Sequence, residues 1–293
     1  MQKYLALPIA VAALVPSVAM AECLPVFADG PAAVTLSPSA SFDTQQLVER
    51  FFVRIRNEGD TACELRLSVG RDLSTSDADF PIYSLSGPDG NIPIVQMESA
   101  VNNADTSTRV NVPASGQVSV PYEVRMAVGW GEEAGAYTQE LVYFLVSSDN
   151  RSEIQDQRTE LNLTIPTAAR IRFAGASSGG GPAQVELGTL SPDAVTTAPP
   201  FAIRVLSTAA YQMAFVSQNA GQLRRINGPE RIPYRMTVSG RLLNMTGGGD
   251  QISVGTHTSS TGDVHPVVII VQPDATRHAG DYTDRVTVTV TPI

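Results

Sequence analysis

Beyond residue 22 the apolar positions recur every second residue, the period of a half-buried β-strand, and helical spacing is hard to find. In Phe52-Val53-Arg54-Ile55-Arg56 the arginines alternate with apolar side chains, and Leu161, Leu163 and Ile165 alternate with Asn162 and Thr164. This pattern predicts strands at Val34–Ser37, Val48–Arg56, Cys63–Val69, Ile82–Leu85, Arg109–Val112, Val118–Val124, Tyr137–Val146 and Glu160–Ile165. A second series is expected at Val185–Leu187, Phe201–Leu206, Tyr211–Val216, Tyr234–Val238, Leu242–Met245, Ile252–Val254, Val267–Val271 and Tyr282–Thr291. Gly, Pro, Asn and Asp clusters separate them, and short strands at this spacing predict an all-β chain of sandwiches or barrels.

The stretch Ser177-Ser178-Gly179-Gly180-Gly181-Pro182 is flexible by composition. Read as a linker over 175–182, it divides a domain at 22–174 from one at 183–293; the alternative is a loop within one domain. An internal repeat favours two related domains. Ala134-Gly135-Ala136-Tyr137-Thr138 opens a strand in the first half, and Ala279-Gly280-Asp281-Tyr282-Thr283 opens one in the second. After Val146 the first half adds a polar turn and the alternating strand Glu160–Ile165, whereas no further strand follows Thr291. On a shared plan the second domain lacks its last strand, and a groove opens along its core. Val286, Val288 and Val290 share the face that would line this groove. The competing reading is an ordinary edge strand.

The N-terminal segment refines where such domains would work. Lys3, the apolar run Leu5–Val15 and Ala19-Met20-Ala21 predict a cleavable signal peptide over residues 1–21. The run is too short to span a bilayer, and Glu22 beside Cys23 does not fit a lipid anchor. Export makes a disulfide between Cys23 and Cys63, the two cysteines of the chain, the default expectation. The net charge of −9 argues against a nucleic-acid partner.

The second half is similar to the spore coat protein U domain, the pilin fold of archaic chaperone–usher pili. Three segments carry the resemblance: Tyr211 followed by Ser217-Gln218-Asn219-Ala220-Gly221-Gln222-Leu223; Ile232-Pro233-Tyr234 running to Gly240; and Ala279 to Asp284 followed by Val286–Val290. Together they cover most of residues 183–293. The second domain has no cysteine, a departure from many such domains, and the first matches only loosely. The resemblance implies two immunoglobulin-like β-sandwiches, the C-terminal one an incomplete pilin fold. It also implies a periplasmic pilus chaperone, an outer-membrane usher and a neighbouring pilin subunit that donates a strand. With Cys23 tethered, no free donor arm precedes the first domain. The expected place is therefore the tip of the pilus at the cell surface, reached through the periplasm, with the first domain as adhesin.

Candidate surface-binding residues are Trp130 in Gly129-Trp130-Gly131, Phe80, Ile82 and Tyr83 around Pro81, and Ile92 and Ile94 around Pro93. Each has a competing reading as buried core or strand end. No catalytic or metal constellation is found, and no cofactor is expected. His257, His265 and His278 lack metal spacing. Gly175-Ala176-Ser177-Ser178-Gly179 matches the Gly-x-Ser-x-Gly elbow but precedes a linker instead of a helix. The leading expectation is a tip adhesin and not an enzyme. A non-adhesive initiator or adaptor subunit and a secreted carbohydrate-active sandwich protein are the alternatives.

Overall fold

The computed structural model describes residues 22–39, 45–149, 152–175 and 182–293, and among them the regular elements are almost all strands. The expected signal peptide (1–21) and residues 176–181 of the expected linker, with most of the Gly-x-Ser-x-Gly match, lie outside the described residues. In chain order the first half forms β1 (Pro25–Phe27), β2 (Ala33–Leu36), β3 (Gln45–Asn57), β4 (Cys63–Asp72), β5 (Tyr83–Gly87) and β6 (Gly90–Ile92). A short helix, α1 (Met97–Ala100), precedes β7 (Ser107–Val112), β8 (Gln117–Val128), β9 (Gly135–Ser147) and β10 (Glu153–Ile165). One sheet runs β1-β3-β8-β5-β6 and the other β2-β10-β9-β4-β7. They pack face to face because alternation points Phe51, Val53 and Ile55 of β3 inward, against Leu161, Leu163 and Ile165 of β10 in the same core. Phe51, Tyr122 and Tyr143 meet at its centre, the two tyrosine rings 5.0 Å apart. β9 is buried on both faces, since α1 and its neighbours cover Val142, Phe144 and Val146 on the outside.

Cys23 and Cys63 form the expected disulfide. The chain around it is held by more than sulfur. The Glu22 amide donates to Asp60 Oδ1 (2.8 Å) and the Leu24 amide to buried Asn57 Oδ1 (3.1 Å). Gly59 passes so close to Glu22 that a Cβ there would meet its carbonyl oxygen at 1.8 Å, which only glycine avoids.

The second sandwich begins at β11 (Ala169–Ala174). It continues through β12 (Thr196–Thr197), β13 (Phe201–Ser207), β14 (Tyr211–Ser217), β15 (Gln222–Arg225) and β16 (Arg231–Val238). β17 (Arg241–Leu242), β18 (Asp250–Val254), β19 (Asp263–Val271), β20 (Tyr282–Thr283) and β21 (Val286–Pro292) complete it. Its larger sheet runs β11-β13-β19-β16-β15-β20 and its smaller one β18-β14-β21. The domain boundary expected at 174 is corrected by β11, which pairs with β13 along its whole length and sends Ile171 onto the second core. The crossing is the short Pro166-Thr167-Ala168, pinned by Thr208. Its hydroxyl donates to Pro166 O (3.0 Å) and accepts from the Ala168 amide (2.9 Å), and its carbonyl accepts from the Ala134 amide (2.6 Å). Val185–Leu187 forms no strand, and Leu242–Met245 shrinks to β17.

The two sandwiches share one plan. Tyr137 donates its hydroxyl to the carbonyl of Glu133 (2.8 Å), and Tyr282 donates to that of His278 (2.9 Å), each four residues upstream. Such tyrosine corners open strand F of immunoglobulin-like domains. The registers agree as well. Leu67 of β4 faces Leu145 of β9 and Val69 faces Tyr143, while Met213 of β14 faces Val290 of β21 and Phe215 faces Val288.

A polar chain crosses the second core. Tyr211 donates to Asp263 Oδ2 (2.8 Å) and so accepts from His265 Nε2 (2.7 Å), leaving Nδ1 to accept from the Ser239 hydroxyl (3.1 Å). Burial pushes the His265 pKa down, against a smaller upward pull from Asp263, so the folded imidazole is neutral. The unfolded chain takes up a proton as pH falls through about 6.5, and the folded chain does not until lower pH. Stability of the second sandwich should therefore fall below about pH 6.5, by at most about 1.4 kcal/mol per pH unit. His265→Gln should flatten that slope in urea titrations between pH 5 and 7; an unchanged slope would refute the assignment. Opening the disulfide with Cys63→Ser should release a loop of 40 residues. The first sandwich should lose about 4 kcal/mol, a drop of roughly 10 °C in calorimetry.

Candidate functional site

The sequence of β21 is Val-Thr-Val-Thr-Val-Thr-Pro, so Val286, Val288 and Val290 point inward and the threonines outward. One edge of the strand bonds to β14 along its length, and among the described residues no strand bonds to the other. The three valines touch the second core but remain half-buried. In the first sandwich the same register positions of β9 carry Leu141, Tyr143 and Leu145, each at most 1% exposed. β10 makes the difference. It pairs with the far edge of β9 from Gly135 to Val146, setting Thr159, Gln157 and Gln155 beside Leu141, Tyr143 and Leu145, while its buried Leu161, Leu163 and Ile165 extend the core beside Gln139, Tyr137 and Gly135. β2 then pairs parallel to β10 and closes that side of the sandwich.

Beside the open edge of β21 lies a cleft of about 1840 Å³. Phe173 of β11, Phe201 and Ile203 of β13, Met236 of β16 and Ile269 of β19 form its apolar wall opposite Val286 and Val288. Val290 packs on the same core but does not line the cleft. Ile203 and Met236 are core residues, so the floor of this cleft is the hydrophobic core itself.

The mouth is polar and fixed by Asp284. Its Oδ2 accepts from the hydroxyls of Ser217 (2.6 Å) and Tyr234 (2.7 Å), and its Oδ1 accepts from the Asn219 amide (3.0 Å). Ser217 also accepts from the Gly221 amide (2.8 Å). The three segments that carry the family resemblance thus meet at one carboxylate. Their apolar residues were legible as strands, but the convergence of Ser217, Tyr234 and Asp284 was not, because no local pattern marks a contact between residues so far apart in the chain. This junction also explains why the expected strand Tyr282–Thr291 is broken into β20 and β21, since Asp284 turns away to cap the 217–221 loop.

The surface-binding candidates of the first sandwich occupy other places. Phe80, Tyr83, Ile92, Ile94 and Trp130 are half-buried and pack against the first core, with the Phe80 and Tyr83 rings edge to face at 5.6 Å. Ile82 alone stands in solvent, 94% exposed. Tyr83 pairs with Met126, and Trp130 lies two residues beyond the end of β8. Both mark the end of the sandwich that meets the second domain, where Gly131 abuts Ser260. Among the described residues, no group of three or more His, Cys, Asp or Glu side chains is placed to hold a metal ion.

Asp284→Ala strands three donors at the mouth of the cleft. It should cost about 2–3 kcal/mol, given the strength of bonds to a charged acceptor, read as a shift in the urea midpoint of the second sandwich. A change below about 0.5 kcal/mol would show the junction to be dispensable.

No family model and no curated protein matches the chain. Among solved structures it overlaps a chain of the CsuC–CsuE chaperone–tip adhesion subunit pre-assembly complex from archaic chaperone–usher Csu pili of Acinetobacter baumannii. The TM-score is 0.42 and the identity 15%, over 89% of this chain and 99% of that one. The CupB6 tip adhesin of Pseudomonas aeruginosa overlaps at TM-score 0.35 and 13% identity, over 92% of this chain and 93% of that one. CfaE, the adhesive subunit of CFA/I fimbria of enterotoxigenic Escherichia coli, gives 0.35 and 13%, over 92% and 78%.

Proposed function

We propose that the second sandwich is an acceptor domain, completed by a β-strand from a neighbouring subunit laid along the open edge of β21. The observation that carries this reading is internal to the chain. Positions fully buried in the first sandwich, where β10 pairs alongside, are half-exposed valines beside an apolar cleft in the second. An added strand would supply backbone partners along the edge and insert alternate side chains between the sheets. Each large apolar side chain so buried contributes about 2 kcal/mol.

With the resemblance of the second half to spore coat protein U domains, this makes the protein a subunit of an archaic chaperone–usher pilus. Its partners are a periplasmic chaperone that holds the open sandwich, an outer-membrane usher, and the next pilin. We place it at the tip, as an adhesin that binds a surface through its first sandwich. The support is the fastening of the chain at Glu22 to Phe27, by disulfide, Asn57 and β1–β3 pairing, which leaves that segment no freedom to act as a donor. The protein works by binding and assembly, without catalysis, and travels through the periplasm to the cell surface.

The test adds a synthetic peptide of about a dozen residues with alternating large apolar side chains to the purified protein. The melting temperature of the second sandwich should rise by at least about 5 °C, given the burial just described. Val288→Asp, which places a charge on the cleft wall, should abolish the rise. A second sandwich that melts at the same temperature with saturating peptide, whatever its sequence, would refute the acceptor role.

A further inference from the structure

We infer that the outward face of the sheet β1-β3-β8-β5-β6 is a binding surface for an anionic polysaccharide. The inference begins with charge. Between residues 22 and 165 the chain has 21 Asp and Glu against 9 Arg, a net charge of −12. Strand alternation places four of those arginines on this one face: Arg50, Arg54 and Arg56 on β3 and Arg125 on β8. The outward positions of the two strands hold one carboxylate, Glu123. Four of the nine arginines of an acidic domain thus share one face, with Glu123 and Glu58 as their carboxylate partners.

The arginines remain accessible. The side chains of Arg50, Arg56 and Arg125 are 76%, 55% and 52% exposed, although the first and last share Glu123 and Arg56 holds Glu58 at 2.5 Å. The Arg56–Glu58 pair is exposed on both sides, so it is weak and open to exchange, whereas Glu123 is only 14% exposed and takes one bond from each of Arg50 and Arg125, whose remaining N–H groups stay open to a ligand. Arg54 sits between them and is exposed. Its guanidinium, like the others, suits two-point bonding to carboxylate or sulfate. On the same face Phe52 is 49% exposed and lies directly across from Pro121. A phenyl ring flanked by Arg50 and Arg54 can stack one sugar ring while its charged substituents meet the guanidinium groups.

These features select a polysaccharide over other polyanions. Single-stranded nucleic acid needs a row of aromatic platforms for successive bases, and this face has one. An anionic bilayer would meet the acidic remainder of the domain over a broad area, whereas a single polymer chain can lie along the ribbon alone. The inference deepens the adhesive half of the proposed function by naming its ligand, and it does not depend on the acceptor cleft.

The experiment measures binding of the purified full-length protein to a hexameric oligouronate and to chondroitin sulfate, with neutral dextran, a single-stranded oligonucleotide and anionic phosphatidylserine vesicles alongside. The two acidic polysaccharides should bind and dextran should not, with affinity falling roughly tenfold between about 50 and about 200 mM salt. Arg54→Glu should cost at least about tenfold. Phe52→Ser should weaken binding without changing the salt dependence. Arg109→Glu, on the edge strand β7 of the other sheet, should change nothing. No binding to either polysaccharide at low salt, an equal loss in Arg109→Glu, or tighter capture of the oligonucleotide or vesicles would each overturn the assignment. The peptide-induced rise in melting temperature reads the cleft separately, so failure of one leaves the other standing.

Discussion

A β-strand in a sandwich has two demands to satisfy. Its backbone needs hydrogen-bond partners along both edges, and its apolar face needs a cover. β9 meets both within its own domain, through β4 and β10 on its edges and the opposite sheet over its face. β21 meets them by half. β14 supplies one edge, and the core reaches only part of Val286, Val288 and Val290. Strand edges of this kind invite pairing with another chain. The cleft and its apolar floor are consequences of that one imbalance.

The rest of the second sandwich is built to hold the imbalance in place. Asp284 ties the start of β21 to the 217–221 loop and to Tyr234, so the free edge begins from a rigid corner. At the other end the Ile293 amide donates to the Ala210 carbonyl, two residues from Thr208, which carries the junction with the first sandwich. The open edge therefore runs between two anchored points, one at the cleft mouth and one beside the neighbouring domain. On the proposed acceptor role, preorganisation of this kind would spare an incoming strand the entropy of ordering its partner.

Much of this was legible in the sequence, because strand alternation is a local signal. Phe51, Val53 and Ile55, the Leu161–Ile165 series and the valines of β21 all stand on the faces their spacing implied. The Ala-Gly-x-Tyr-Thr repeat was legible too, and its meaning emerged when both tyrosines were found to close the same four-residue corner. The domain boundary was misjudged because composition drew attention to the Gly/Ser run. What fixes the boundary is the pairing of β11 with β13, a contact made across that run. The Tyr211–His265–Ser239 chain and the Asp284 junction were invisible for a related reason, since each joins residues that only the folded sheets bring together. The apolar residues around Pro81 and Pro93 looked equally able to face solvent or core, and all but Ile82 pack on the core.

The central claim concerns one strand edge, and amide hydrogen exchange reads it directly. The protein alone should show β21 amides exchanging far faster than those of β9, which has partners on both edges, and a bound donor peptide should bring β21 to comparable protection. Protection of β21 equal to that of β9 in the absence of any added strand would contradict the account.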